Sequence, residues 1–255
     1  MRLVRFLKDG VSKYGNVEGN TVCEIEGDIY GSYTVTKKEY SFEAIKILPP
    51  CNPTKIIAIG LNYRDHAEEV KKKLPQEPML FLKPDTSIIG DGDPIVYPRS
   101  SQRVDYEAEL AFVIKREIKN IDKDEALDAV LGYTCFNDVT ARDIQSRPGQ
   151  FTRSKAFDTF AAVGPFIVAD IDPGNLDIMS FLNGELKQSS NTKHLIFDIP
   201  YLVSFISEVM TLLPGDIIAT GTPSGIGPMS VGDTIEVVIE GIGTLRNYVE
   251  AEYVL

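Results

Sequence analysis

Glu107, Glu109 and Asp138 are the residues of this sequence whose types and spacing point most directly to chemistry. Glu107 and Glu109 stand at i and i+2, and on a strand such residues project to one face. Ala108, Leu110 and Phe112 take the opposite face, and the run stays apolar to Ile114. That pattern predicts a strand carrying two carboxylates toward the interior. Like charges side by side in a partly buried place repel, and a divalent cation is the simplest compensation. An edge strand with solvated glutamates fits the same periodicity. Asp138 follows the strand-like run Leu131-Gly-Tyr-Thr-Cys-Phe-Asn137 and opens Asp138-Val-Thr-Ala-Arg-Asp-Ile-Gln145. At such a strand-to-helix junction an aspartate can cap the helix, ligate a cation, or do both. With the helix starting there, Arg142 and Gln145 fall at i+4 and i+7, stacked above Asp138 on one face. Aligned behind a ligand carboxylate, they would orient it and bind an anionic substrate.

A second pair is His66 and Glu69, at i and i+3 on a predicted helix. Sharing a face, the carboxylate can hold and polarise the imidazole as a general base; a chance surface pair has the same spacing. Lys155, in Arg153-Ser-Lys-Ala-Phe-Asp158, is a further candidate cation. The turn Gly221-Thr-Pro-Ser-Gly-Ile-Gly227 follows an apolar strand and permits close ligand approach. No Gly-Lys-Ser/Thr follows it, so it fails as a phosphate loop and suits a small polar ligand or a structural turn.

Scarce residues narrow the metal. Only two histidines, His66 and His194, occur among 255 residues, which excludes a histidine-rich zinc or copper site. Any metal must be held mainly by carboxylates and is therefore a hard cation. Cys23, Cys51 and Cys135 are too widely spaced for a disulfide framework, so a reducing, cytoplasmic setting is expected. The first residues lack the apolar core of a signal peptide, and no run approaches a membrane span. With 37 acidic against 26 basic residues and a formal charge of -11, nucleic acid is excluded as a partner. The basic run Lys71 to Lys73 reads as a solvated helix face.

The elements that must position these groups are mostly strands. Residues 1–50 read as a small β-rich module, with strands at Arg2 to Lys8 and Thr21 to Glu26 and a turn at Lys13 to Asn16. Pro49-Pro-Cys-Asn-Pro53 closes it, and residues 51–255 form the main domain. There the pattern predicts strands at Lys55 to Gly60, Pro78 to Lys83, Ile95 to Pro98, Glu107 to Lys115, Asp216 to Thr220, Thr234 to Ile239 and Thr244 to Val254. Helices are expected at Asn62 to Lys73, Asp122 to Val130 and Asp198 to Met210. The chain is thus α+β and β-dominated.

Several segments, in order, carry a resemblance: Gly60-Leu-Asn-Tyr-Arg-Asp-His66, Phe81-Leu-Lys-Pro84, Asp105-Tyr-Glu-Ala-Glu-Leu110, Gly132-Tyr-Thr-Cys-Phe-Asn-Asp138, Lys155-Ala-Phe-Asp-Thr-Phe160, Asn183-Gly-Glu185 and Gly221 to Gly227. From about residue 52 onward the chain resembles the fumarylacetoacetate hydrolase family. The resemblance implies a β-sandwich-roll catalytic domain, usually a homodimer, with Mg²⁺ or Mn²⁺ on Glu107, Glu109 and Asp138. It implies substrate contacts from Arg142, Gln145, Lys155 and Thr222, the last to a substrate carboxylate, and a lid helix bearing the His66–Glu69 dyad. The activity implied is metal-dependent hydrolysis or lysis of small 2-oxo acids through a stabilised enolate, such as acylpyruvate C–C hydrolysis or oxaloacetate decarboxylation. An alternative is an isomerase or decarboxylase of 2-hydroxyhepta-2,4-diene-1,7-dioate-type diacids in aromatic catabolism. A further alternative is a non-enzymatic carboxylate site holding Ca²⁺, which would not require Lys155, Arg142 and Gln145.

Overall fold

The computed structural model describes residues 1–253. The first fifty residues fold as β1 (Arg2–Lys8), β2 (Val11–Glu18), β3 (Thr21–Gly27), β4 (Tyr33–Ser41) and the short β5 (Lys46–Ile47). The turn expected at Lys13 to Asn16 is instead the middle of β2. Gly15 is there for packing, since a Cβ would stand 2.3 Å from Val22 Cγ1. The chain reverses at Asp9-Gly10 and Gly19, which adopt positive φ values of 51°, 78° and 59°.

The chain continues with β6 (Ile56–Gly60), helix α1 (Arg64–Glu69), β7 (Met79–Lys83), β8 (Ile88–Ile89) and β9 (Pro94–Tyr97). Then come β10 (Val104–Tyr106), β11 (Ala108–Ile114), β12 (Val130–Asp138) and β13 (Thr140–Ala141). Two short helices, α2 (Arg142–Gln145) and α3 (Phe151–Lys155), lead to β14 (Ala161–Val168), β15 (Asp177–Leu182) and β16 (Glu185–Asn191). After α4 (Ile199–Val209) the chain closes with β17 (Ile217–Ala219), β18 (Gly227–Met229), β19 (Thr234–Ile239) and β20 (Gly243–Ala251). Val254, the expected end of the last strand, lies outside the described residues.

Four further expectations change. The helix expected at Asn62 to Lys73 is only α1, because the chain turns at Lys71 with φ 53°. Asp122 to Val130 forms a 3₁₀ turn over Lys123–Ala129, not an α-helix. The strand expected from Glu107 is broken at that residue, between β10 and β11. Asp138 ends β12, and the helix after it starts only at Arg142. By contrast, Asp198 caps α4 as its position suggests, accepting from Tyr201 N at 2.9 Å.

Strands build three sheets. The largest has twelve, in the order β4-β3-β2-β1-β14-β12-β11-β17-β6-β7, with β5 on β1 and β8 on β14. The N-terminal strands therefore extend the main sheet through the β1–β14 pair. A five-stranded sheet, β16-β15-β19-β20-β9, and a three-stranded one, β13-β10-β18, complete the strand-dominated α+β fold. Every residue of β11 is buried, because both its faces are covered. Leu110, Phe112 and Ile114 join the core that includes Ile178, Val237 and α4's Leu202, while Ala111 and Val113 join the opposite core with Ile56 and Ile217. Such burial contributes roughly 1.5–3 kcal/mol per large side chain. It fixes the strand that begins at the acidic residues.

Candidate active site

Glu107 sits where the chain passes from the three-stranded sheet to the main one. Its N–H donates to Asn137 Oδ1 at 2.9 Å, and Asp138 N–H donates to the Glu107 carbonyl at 2.9 Å. Beyond it, β11 and β12 run antiparallel with Ala108 opposite Asn137 and Glu109 opposite Phe136. This register brings Glu107, Glu109 and Asp138 together, all buried, each with an oxygen within 4.8 Å of the others. The spacing of Glu107 and Glu109 thus pointed to the right juxtaposition, although a strand break at Glu107 produces it.

Cations surround the acids unevenly. Lys155, from α3, reaches Glu107 Oε2 at 2.8 Å and Asp138 Oδ2 at 2.5 Å. Lys83, at the end of β7, is wholly buried and pairs with Asp138 Oδ1. Arg142 pairs with Glu107 Oε1, bonds Asp105 Oδ2 through Nε at 2.9 Å, and donates through Nη1 to Gln145 Oε1 at 2.5 Å. Arg142 and Gln145 are therefore i,i+3 partners on α2. They do not stack above Asp138, because Asp138 belongs to the strand and not to that helix. Burial raises the Glu107 carboxyl, but Lys155 and Arg142 outweigh it and hold the group down at about 2. Glu109 has no such partner: burial, then Asp138 and Glu107, push it well above the usual carboxylate range, against only Lys155 and a 2.7 Å bond from Gly221 N–H. Glu109 is therefore the acid of the three that most needs a cation beside it to stand ionised. Three hard oxygen donors, without sulfur or imidazole, fit a cation such as Mg²⁺ or Mn²⁺.

These groups line one cavity of about 310 Å³. Arg142, Gln145, Lys155, Thr222 and His66 open onto it with the three acids, and Phe81, Phe151 and Ile226 supply apolar wall. The Lys155 ammonium lies 5.1 Å from the Phe81 ring centroid, and Phe81 meets Phe151 edge-on at 5.0 Å. Glu69 stands behind His66, 2.9 Å from its Nδ1, and accepts from Gly225 N–H at 3.0 Å. A carboxylate can only accept, so the neutral imidazole carries its proton on Nδ1 and leaves the Nε2 lone pair free. Helix α1 is further tied by Asp65, whose Oδ2 accepts from Ser190 Oγ at 2.6 Å.

The turn after β17 needs its first glycine. Gly221 has φ +98°, and a Cβ there would stand 2.9 Å from Asn62 Cβ. Buried Asn62 ties this corner together, donating to Thr220 O at 2.8 Å and accepting from Phe197 N at 2.8 Å. Sequence reasoning assigned no role to Lys83, Asp105, Gln188 or Ser190. Lys83 ends an apolar strand, a place where a lysine ordinarily points to water. Gln188 and Ser190 lie in a polar hairpin strand, where nothing in the pattern marks them.

Comparison with known proteins places this architecture. The family model described as fumarylacetoacetate (FAA) hydrolase C-terminal matches residues 55–250, and an Rv2993c-like N-terminal model matches residues 1–50. A protein of Archaeoglobus fulgidus is 54% identical over 226 residues, covering 88% of each chain. A mitochondrial oxaloacetate tautomerase of Xenopus laevis is 44% identical over 213 residues, 79% of this chain and 67% of that one. Among solved structures, 2-hydroxyhepta-2,4-diene-1,7-dioate isomerase from Mycobacterium marinum aligns with a TM-score of 0.92 and 41% identity, covering 99% of each chain. Maleylpyruvate hydrolase from Sphingobium, in complex with manganese(II) and pyruvate, aligns with a TM-score of 0.82 and 31% identity, over 99% of this chain and 100% of that one. The ordered motifs, the strand-dominated fold and a family match spanning most of the sequence agree, and the chain belongs to the fumarylacetoacetate hydrolase family.

Proposed function

We propose that this chain is a Mg²⁺- or Mn²⁺-dependent enzyme acting on small 2-oxo acids, by C–C hydrolysis or decarboxylation through an enolate. The observation that carries this reading is one cavity shared by the carboxylate triad, the Lys155 and Arg142 cations, and the His66 imidazole backed by Glu69. Glu107, Glu109 and Asp138 would hold the cation, which supplies Lewis-acid charge to the oxygens of a 2-oxo acid. Lys155 and Arg142 set positive charge beside the substrate carboxylate, and Thr222 binds it. Gln145, held by Arg142, presents its amide to the same space. In hydrolysis, His66 Nε2 takes a proton from the water that attacks the distal carbonyl, and Glu69 steadies the imidazolium. Decarboxylation of a β-oxo acid needs no such water.

A second reading is isomerisation or tautomerisation, with His66 moving a proton at the carbon beside the 2-oxo group. It is favoured by the relatives named as an oxaloacetate tautomerase and a diacid isomerase. A purely structural Ca²⁺ site would need neither His66 nor the Lys155 and Arg142 cations. Acylpyruvates, oxaloacetate and hydroxydiene-dioates, each assayed with Mg²⁺, Mn²⁺ and chelator, test the proposal. Turnover of at least one of them, lost in chelator and restored by metal, is expected. Turnover that persists undiminished in chelator, or none with any of them, would contradict it. A homodimer, the assembly the family resemblance implies, is checked by light scattering.

A further inference from the structure

Gln188 is a buried amide that joins the acidic strand to the substrate-side turn, and its orientation is fixed by its neighbours. On one side its Oε1 accepts from Ala108 N–H at 3.0 Å, the peptide between Glu107 and Glu109, and from Ser180 Oγ at 2.9 Å. On the other side its Nε2 donates to the Pro223 carbonyl at 3.0 Å and to Thr222 Oγ1 at 2.8 Å. A backbone N–H can only donate and a backbone carbonyl can only accept, so the amide has one permitted direction. Both Nε2 protons are thereby used, one on Pro223 O and one on Thr222 Oγ1. The Thr222 hydroxyl, already an acceptor on that side, has its own proton left to give. Among the described residues no acceptor takes it, and Thr222 lines the cavity.

We propose that Gln188 is a positioning residue that sets the polarity of Thr222, making its hydroxyl an obligate donor toward an anionic acceptor in the cavity. The proposal rests on the reading of the cavity as a site for small 2-oxo acids. The bonds require all four partners to keep their places, and the packing supports this. Gly225, two residues past Pro223, lies so close to β16 that a Cβ would stand 2.3 Å from Lys187 O and 3.3 Å from Gln188 Cγ. Gln188 itself is fully buried. A carboxylate of the substrate is met by a proton already aimed, with no rotamer or proton rearrangement to make on binding.

The probe is oxalate, titrated calorimetrically in saturating Mg²⁺, with Mg²⁺ binding measured separately. Gln188→Met should weaken oxalate about ten- to a hundredfold, as for a lost bond to a charged group, while Mg²⁺ binding stays near wild type; the melting temperature falls, because Ala108 N–H and the Pro223 carbonyl lose their buried partner. Thr222→Val should lose a similar factor and Thr222→Ser should retain binding. The double variant Gln188→Met/Thr222→Val should bind oxalate no more weakly than Thr222→Val alone. If Gln188→Met does not fold, Gln188→Asn takes its place, since a shorter amide cannot span Ala108 and Thr222. Wild-type oxalate affinity in the Gln188 variant, multiplying losses in the double variant, or equal losses of Mg²⁺ and oxalate would each overturn the proposal. Wild-type protein that binds Mg²⁺ but no oxalate would instead overturn the reading of the site.

Discussion

At the residue scale, the three acids are unlike one another. Glu107 and Asp138 have lysine or arginine partners, whereas Glu109 has a single backbone N–H and two negative neighbours. The sequence made the triad legible because two glutamates at i and i+2 share a strand face. It did not reveal that Lys83 is the buried partner of Asp138, since a lysine at a strand end usually points to water. Nor did it separate capping from ligation for Asp138. Residue types permit both, and only the strand extension through Asp138 removes the helix cap. His66 yields a sharp expectation. His66→Ala should reduce hydrolysis of an acylpyruvate about 10²–10⁴-fold and decarboxylation of oxaloacetate far less, because only hydrolysis needs an activated water. Parallel losses in kcat for the two substrates would place His66 in proton transfer or closure instead.

At the element scale, β16 matters more than its polar sequence suggests. Gln188 braces the 221–227 turn from beneath, and two residues on, Ser190 bonds Asp65 and so anchors α1, the helix that carries His66 and Glu69. Ser190→Ala should therefore lower kcat/KM about tenfold, the cost of one charge-assisted bond, with little change in melting temperature. Unchanged kinetics would show that Glu69 to Gly225 holds the helix alone. This strand was illegible because its function is long-range: polar side chains that read as solvent-facing are satisfied by elements distant in sequence. The N-terminal strands carry a separate ionic feature. Glu24 of β3 is buried, which alone would raise its carboxyl, but Lys13, Tyr40 and Lys38 hold it at about 2. A depressed carboxyl adds stability that is present above its unfolded value near 4.5 and is lost as pH falls toward 2. Glu24→Gln should flatten that part of the acid-unfolding curve, by on the order of 1 kcal/mol given the exposed lysines. A curve with wild-type slope would refute the pairing.

At the scale of the whole molecule, the site is where separate sheets converge. β10 and β11 deliver Glu107 and Glu109, β12 delivers Asp138, β17 leads into the Thr222 turn, and short helices bring His66, Lys155 and Arg142. The β-dominated α+β class was readable from strand periodicity and turn residues. The pairing of β1 with β14 was not, because strand order depends on contacts between residues more than 150 positions apart. A cation held at this convergence would bind the folded chain and not the unfolded one, since the ligands meet only through β11–β12 register. Thermal unfolding with and without Mn²⁺, for wild type and for Glu109→Gln, is therefore the most direct test that these acids form a metal site. At a hundredfold excess of Mn²⁺ over Kd the wild-type Tm should rise by about 5–10 °C, and Glu109→Gln, still folded, should show little of that rise. A wild-type Tm indifferent to Mn²⁺, or a variant stabilised as much as wild type, would contradict the account.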